Sequence, residues 1–192
     1  FSLVFPPMDE DDKFAILPYF WIPEDTLELR VRRDHVPYDI WERQGFLQTT
    51  EGNVVHYGYI EKFIEQLGER FNIREIAFDR WGAVQMVQNL EGMEFTVVPF
   101  GQGFKDMSPP TKELMKLTLE QKLAHGGHPV LRWMMDNIFI RTDPAGNIKA
   151  DKEKSTEKID GAIATIIGLD RAIRCGNMNT ESVYDARGIL FI

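Results

Sequence analysis

The chain has 192 residues, a formal net charge of −8 and 43% hydrophobic side chains, a length and composition that favour one domain with a full hydrophobic core. Its single cysteine, Cys175, excludes a disulfide within the chain and favours a reducing, intracellular setting. The acidic balance argues against a strong stand-alone nucleic-acid binder, because such domains are usually basic, and no apolar run approaches the roughly 20 residues of a membrane span.

The first elements are predicted to be strands. Residues 1–5 contain no initiator methionine, basic leader or cleavage pattern, so we expect a fragment of a longer protein and no signal peptide. Residues 2–5 and 14–23 are apolar runs rich in aromatic and β-branched side chains, and a polar turn separates them. They are expected to pair as antiparallel strands. The acidic residues 9–12 in the turn are interpreted as solvated rather than as a metal cluster.

The middle of the chain alternates between helical and extended patterns. Residues 57–71 carry apolar side chains at three- and four-residue spacing, which predicts an amphipathic helix packed on a sheet. A buried strand is expected at residues 73–78, ending at Asp79. A helix at about 83–90 and a strand at 95–99 follow, and the glycines of residues 101–103 indicate a loop.

The second half is predicted to be mostly helical. Residues 110–124 form a strong helical pattern that begins with prolines and is followed by Gly126-Gly127, and residues 129–137 predict a short helix. A hairpin is expected where residues 138–141 and 148–150 flank a turn. A last helix is expected from residue 159 to about 173, and the polar tail after Gly176 is expected to be loosely held. This order predicts an α/β fold, a mixed β-sheet with helices on its faces.

Two aspartates are the first candidates for chemistry. Asp79 ends a buried strand just before a helix, which is where α/β sheets place their ligand sites, although a cap of the following helix is an equal alternative. Asp160 opens an apolar helix beside Gly161 and can point inward, although the helix dipole alone would favour a carboxylate there. Two such carboxylates suit two Mg²⁺ or Mn²⁺ ions roughly 3.5–4 Å apart, because hard cations prefer oxygen ligands.

Several stretches of the sequence resemble one family, in order and over nearly the whole chain. These stretches are Ile73-Arg74-Glu75-Ile76-Ala77-Phe78-Asp79-Arg80-Trp81-Gly82, Gly101-Gln102-Gly103-Phe104 with Met107-Ser108-Pro109, His128-Pro129-Val130-Leu131-Arg132-Trp133, Arg141-Thr142-Asp143-Pro144-Ala145-Gly146-Asn147-Ile148, and Lys152-Glu153-Lys154-Ser155-Thr156-Glu157-Lys158-Ile159-Asp160-Gly161. The chain resembles the C-terminal nuclease domain of the large terminase subunit of tailed bacteriophages or of a prophage.

The resemblance implies a ribonuclease-H-like mixed β-sheet flanked by helices. It implies that Asp79 and Asp160 are the second and third metal-binding carboxylates, and that the first lies on an opening strand upstream of Phe1. We therefore expect residues 1–176 to be a nuclease domain without its first strand and residues 177–192 to be a C-terminal tail. The resemblance also implies an ATPase domain upstream of this chain. No ATP site is expected within the chain itself, since nothing here resembles a phosphate-binding loop.

The residues around Asp160 are weaker candidates. Lys154 and Lys158 flank it and are hypothesised to contact DNA phosphate, and Glu157 to support the site. Three other features are given structural interpretations: the pair His125 and His128 as a helix end rather than a zinc site, the tryptophans and methionines as core, and the remaining arginines and lysines as solvated faces.

The expected function is that of a metal-dependent endonuclease that cuts concatemeric double-stranded viral DNA during genome packaging, by two-metal phosphodiester hydrolysis. The resemblance implies double-stranded DNA, the small terminase subunit and the portal protein as partners, no membrane, and the host cytoplasm as location. Two alternatives stay open: another ribonuclease-H-like nuclease, of the resolvase or integrase type, and a non-catalytic docking module of a packaging motor.

Overall fold

The computed structural model describes residues 1–9, 12–79 and 84–176. Its strands are β1 (Ser2–Phe5), β2 (Phe14–Pro18), β3 (Trp21–Pro23), β4 (Gln48–Thr50), β5 (Ile76–Asp79), β6 (Val97–Phe100), β7 (Leu123–Ala124), β8 (Ile140–Thr142) and β9 (Ile148–Ala150). Its helices are α1 (Leu27–Asp34), α2 (Tyr38–Arg43), α3 (Tyr57–Arg70), α4 (Val84–Gly92), α5 (Phe104–Leu119), α6 (Pro129–Asp136) and α7 (Asp160–Cys175), with a 3₁₀ turn at Glu24–Thr26. The fold is mixed α/β, as the order of the predicted elements indicated.

The first two strands pair as predicted. β1 and β2 are antiparallel, with Ser2 opposite Pro18 and Phe5 opposite Ala15, and β7 joins the other edge of β2 in parallel. The second predicted strand is nevertheless too long, because β2 ends at Pro18 and β3 pairs in parallel with β4 instead. Backbone hydrogen bonding with β1 continues to Tyr19, whose N–H donates to the carbonyl of Phe1 over 2.8 Å, before the chain leaves this sheet for β3.

Strand β5 and its neighbour β6 lie parallel, with Asp79 opposite Phe100. Parallel strands bring their carboxyl ends to the same edge, so the residues that follow Phe100 lie beside Asp79. A small core of Ile64, Ile76 and Leu90 joins the strand to α3 and α4. The predicted helix and strand positions are confirmed here to within three residues, and residues 80–83, which follow Asp79, lie outside the described part of the chain.

One helical prediction was wrong in its bounds. The helix predicted at residues 110–124 is α5, which begins at Phe104, contains Pro109 and Pro110 in its second turn, and ends at Leu119. Leu123 and Ala124 form a short strand, and the glycines after them follow a strand rather than a helix end. Helix α1, which the sequence did not predict, has a mostly charged surface and buries no residue fully.

Helix α7 is the centre of the main core. It buries nine of its residues, and it packs against β1, β5, α5 and α6. Gly168 permits a close approach to β1, since a Cβ there would lie 2.8 Å from Cγ2 of Val4. Three residues further along the helix, Arg171 donates to Glu75 over 2.6 Å and ties the helix to the segment before β5. The helix therefore fixes the relative positions of two strands that share no backbone hydrogen bond.

The described helices include none that is both long and apolar enough to cross a membrane.

The predicted hairpin is confirmed, because β8 and β9 are antiparallel and Asp143 closes their turn by accepting hydrogen bonds from the N–H groups of Ala145 and Asn147. In the predicted acidic turn, the N–H of Asp12 bonds the carbonyl of Asp9, and residues 10 and 11 lie outside the described residues. Trp81 and the tail after Gly176 also lie outside them.

Candidate active site

Asp79 stands at the carboxyl end of β5, where the loop that follows β6 reaches it. The side-chain amide of Gln102 donates to Oδ2 of Asp79 over 2.6 Å. Gln102 follows Phe100 by two residues, so the parallel pairing of β5 and β6 delivers both side chains to one edge. Asp79 is half-buried, which leaves it accessible to a ligand while its orientation is held by a neighbour.

Asp160 is the first residue of α7. Its side chain is 66% exposed, and its Oδ1 receives a hydrogen bond of 2.7 Å from the ammonium of Lys152. The next residue, Gly161, is buried against Phe20 and Met134, so the helix start is packed although the carboxylate faces outward.

Both aspartates line one cavity of about 330 Å³. Its walls are β1 on one side and β5 with the preceding segment on the other, and α7 forms its floor through Ile163, Ile167 and Gly168. The structure thus places along one cavity the two carboxylates that the sequence analysis singled out, which belong to elements far apart in the chain. Within the described residues, no group of three or more histidine, cysteine, aspartate or glutamate side chains could hold a metal ion.

The three supporting residues proposed from the sequence lie away from this cavity. Lys158 pairs with Asp34 at 3.7 Å, and Lys154 lies over the ring of Phe139 at 5.5 Å. Glu157 is exposed and precedes the start of α7 rather than lying within it, and its charge acts on Tyr38. The physical reason is that the chain before α7 turns back on itself, with Ser155 bonding to residue 151, so sequence distance from Asp160 does not measure proximity.

Asp34 forms a small charged cluster beside those residues. Arg33 donates to it over 2.6 Å and Tyr38 over 3.2 Å, and Lys158 adds a further positive charge. The Arg33 hydrogen bond, followed by the lysine charge, holds the pKa of the Asp34 carboxyl below its usual value against the opposing effect of desolvation. The cluster fixes the end of α1 to the loop before α7, and it is structural in character.

Two residues of the site were missed by sequence reasoning: Lys152 and Gln102. Gln102 belongs to the Gly-Gln-Gly loop but was given no role, because its contact with Asp79 depends on the parallel pairing of β5 and β6, which no local sequence pattern shows. Lys152 lies eight residues before Asp160 in an irregular segment, and no periodicity connects the two positions. Nothing in the local sequence pattern distinguishes it from Lys154 and Lys158.

A second and larger cavity, of about 810 Å³, lies between α5, α6 and the β8–β9 hairpin. Its lining is mostly aliphatic, and its charged members are Lys13 and Arg132 with the titratable His125. It contains no carboxylate among the described residues. His128 lies nearby but serves as the cap of α6, accepting from the N–H of Leu131 at 3.5 Å. The cavity between β1 and β5 is therefore the candidate for acid–base or metal chemistry.

The cavity thus combines two carboxylates from different elements with a half-exposed ammonium in one open cleft. The chain matches the family model described as the terminase large subunit, endonuclease domain, over residues 2–175. Because the match spans nearly the whole chain, the chain belongs to this family.

Particular relatives agree with that assignment. The chain is 39% identical over 173 residues to the large terminase subunit of Enterobacteria phage HK97, covering 89% of this chain and 34% of that protein. It is 30% identical over 166 residues to the protein YmfN of Escherichia coli strain K12, covering 83% of this chain and 36% of that protein. The crystal structure of the HK97 large terminase superposes with a TM-score of 0.79 at 38% identity, over 88% of this chain and 36% of the solved one. The chain thus spans about a third of the length of these relatives.

Proposed function

We propose that this chain is the core of a metal-dependent endonuclease that cuts concatemeric double-stranded viral DNA during genome packaging. The observation that carries the proposal is that Asp79 and Asp160 line one open cavity although they come from separate elements. Membership of the terminase endonuclease family supports the choice of DNA as substrate. The proposed fold class is ribonuclease-H-like.

The carboxylates of the cavity supply part of a donor set for a divalent cation. The donor set consists of carboxylate oxygens, which Mg²⁺ and Mn²⁺ prefer, and the Lys152 ammonium on Asp160 is a positive charge already seated against one of them. Asp79 and Asp160 would hold two ions together with a third carboxylate from outside the described residues. Bound there, such ions would supply Lewis-acid activation of water and neutralisation of charge on the phosphodiester.

We place that third carboxylate in the part of the cavity that lies between β1 and β5, which is called the slot below. In the described part of the chain, β1 is an edge strand of one sheet and β5 an edge strand of another, and both edges face the same cavity above α7. An additional strand lying in the slot would join the two sheets and bring its own end beside Asp79. A segment upstream of Phe1, as in the related family, is the proposed source.

Each side chain of the site then has a distinct task. Gln102 holds the Asp79 carboxylate by its neutral amide, and Lys152 offers an ammonium at the mouth of the cavity. Because Lys152 is about half exposed, it can exchange Asp160 for a phosphate oxygen of DNA, so we propose it as the phosphate-contacting lysine in place of Lys154 and Lys158. The other expectations implied by the family, namely the small terminase subunit and the portal as partners and action in the host cytoplasm, belong to the same proposal.

The test is plasmid cleavage in Mn²⁺ by a chain extended upstream of Phe1, compared with its Asp79→Ala and Asp160→Ala variants. Each loss should remove several kcal/mol of transition-state stabilisation, and cutting should fall on the order of 10²- to 10³-fold while the variants remain folded. Asp39→Ala is the matched control, since Asp39 forms only a surface pair with Arg43. Equal cutting by all variants would overturn the assignment of these residues.

The alternatives predict other outcomes of the same assay. A docking module would neither cut nor bind Mn²⁺ in the extended chain. A resolvase-type nuclease would cut branched DNA in preference to linear duplex, so a four-way junction is the substrate that separates it from the proposed enzyme.

A further inference from the structure

Gln102 has a place in the site that goes beyond loop formation. Its amide nitrogen lies 2.6 Å from Oδ2 of Asp79, within a cavity that both residues line. The hydrogen bond joins residues 23 positions apart, so it depends on the parallel pairing of β5 and β6 rather than on local geometry. A short hydrogen bond to a charged acceptor is among the stronger ones in proteins.

The backbone of Gln102 is held from the opposite direction. The ammonium of Lys149, on β9, donates to the carbonyl of Gln102 over 3.1 Å, and the same ammonium lies 5.3 Å from the ring centroid of Phe104. The β9 strand in turn packs on α5. The loop is therefore clamped between the hairpin and the helix, and the amide is presented to Asp79 in a defined direction.

The two carboxylates of the cavity are held by different chemistry. Asp160 accepts a hydrogen bond from the ammonium of Lys152, whereas the hydrogen bond that Gln102 donates to Asp79 comes from a neutral amide. A lysine at position 102 would compete with a bound cation for Asp79, and an aliphatic residue would remove the hydrogen bond that Gln102 donates. Glutamine is therefore suited to orienting a metal-binding carboxylate without adding a positive charge of its own.

We infer that Gln102 is a positioning residue that fixes the Asp79 carboxylate for cation binding, with Lys149 holding its backbone. This rests on the proposed function, since it assigns a role toward the same site. Groups that orient metal ligands typically contribute roughly 10- to 100-fold in metal affinity.

The test uses Gln102→Met in the chain extended upstream of Phe1, because methionine keeps the length of the side chain and removes the donor. Mn²⁺ affinity is measured by the electron paramagnetic resonance signal of free Mn²⁺, alongside kcat and KM for plasmid cleavage. We expect Mn²⁺ affinity to fall about tenfold or more, and kcat to fall with KM for DNA unchanged. Gln85→Met is the matched control, since Gln85 donates to Asn89 on an exposed face of α4.

Lys149→Met removes the ammonium that holds the backbone of the same loop and leaves the amide of Gln102 unchanged. This variant should also weaken Mn²⁺ binding, by a smaller factor than Gln102→Met. The inference is overturned if Gln102→Met binds Mn²⁺ as tightly as the parent, or if it loses affinity only in proportion to a lowered Tm. A parent that cuts while Asp79→Ala is inactive, with Gln102→Met unchanged, would reject this role and leave the proposed function standing. Asp79→Ala cutting normally would reject both.

Discussion

At the scale of single residues, the start of α7 depends on a glycine beside the candidate metal ligand. A Cβ at Gly161 would collide with Cε1 of Phe20 and lie 2.9 Å from Sδ of Met134. The backbone N–H of Gly161 also points at that sulfur, at 3.1 Å. The exposed position of Asp160 is therefore determined by a packed contact on the opposite side of the same helical turn.

We expect Gly161→Ala to lower the free energy of unfolding by about 1–3 kcal/mol, because the core around Phe20 must shift to admit one methyl group. Gly58→Ala in α3 is the matched control: nothing lies within 4 Å of its added Cβ, so a gain of up to about 1 kcal/mol is expected from the lower entropy of the unfolded chain. Urea denaturation measures both changes. An unchanged midpoint for Gly161→Ala would contradict the close packing of α7 against Phe20.

At the scale of elements, α6 begins at a titratable cap. His128 accepts a hydrogen bond from the N–H of Leu131 and packs between the rings of Phe20 and Phe46, at centroid distances of 5.3 and 5.0 Å. Burial lowers the pKa of its imidazole, and the neighbouring His125 lowers it further. Protonation both charges a partly buried ring and, if it occurs at Nδ1, removes the acceptor that caps the helix.

The resulting pH dependence has a defined sign. A histidine whose pKa is lower in the folded state than the unfolded value of 6.5 contributes stability that is complete above pH 6.5 and is lost as the pH falls toward the folded pKa. We expect the Tm of the parent to fall between pH 7 and 5, and His128→Asn, which keeps a capping acceptor, to fall less. His56→Asn, at an exposed position that precedes α3, should follow the parent. If the Tm of His128→Asn falls between pH 7 and 5 as much as that of the parent, the titration of His128 is not the origin of the pH dependence.

The sequence predicted elements well where one periodicity dominates. The apolar spacing at 57–71 and the Asp-Pro turn at 143–147 correspond to α3 and to the β8–β9 hairpin. It failed where tertiary contacts decide the outcome: α5 tolerates Pro109 and Pro110 within its second turn, and α1 forms although no residue of it is fully buried. A mostly charged surface carries no strong apolar period, so α1 could not be recognised by pattern alone.

The candidate site was predictable to a similar degree. Asp79 and Asp160 could be singled out because each stands at the end of an element, where position alone gives a direction for the side chain. Lys152 and Gln102 could not, since their roles depend on how an irregular segment folds back and on which strand lies parallel to β5. The choice of Lys154 and Lys158 as neighbours of Asp160 relied on sequence distance, which the structure does not follow.

At the scale of the whole molecule, α7 connects two sheets that do not pair with each other. β1 with β2 and β7 forms one sheet, β5 with β6 another, and the cavity with both aspartates lies between their facing edges. Exposed strand edges are sites where further strands add. A strand added between these two edges would therefore both complete the sheet and carry a third carboxylate to the site.

Hydrogen exchange offers the test of that completion. In a chain extended upstream of Phe1, the N–H groups of β1 and β5 that face the cavity should gain hydrogen-bond partners. Their exchange should therefore slow on the order of 10-fold or more compared with the 192-residue chain, since roughly 1.4 kcal/mol of added local stability gives each factor of ten. Amides of the β8–β9 hairpin, which lies outside the cavity lining, are the internal control and should keep their rates. Slower exchange throughout the molecule would indicate general stabilisation, and unchanged rates in β1 and β5 would mean that no strand enters the slot. In the second case the third carboxylate would have to come from elsewhere, and the two-metal mechanism would lose its structural basis even if Asp79 and Asp160 proved essential for cutting.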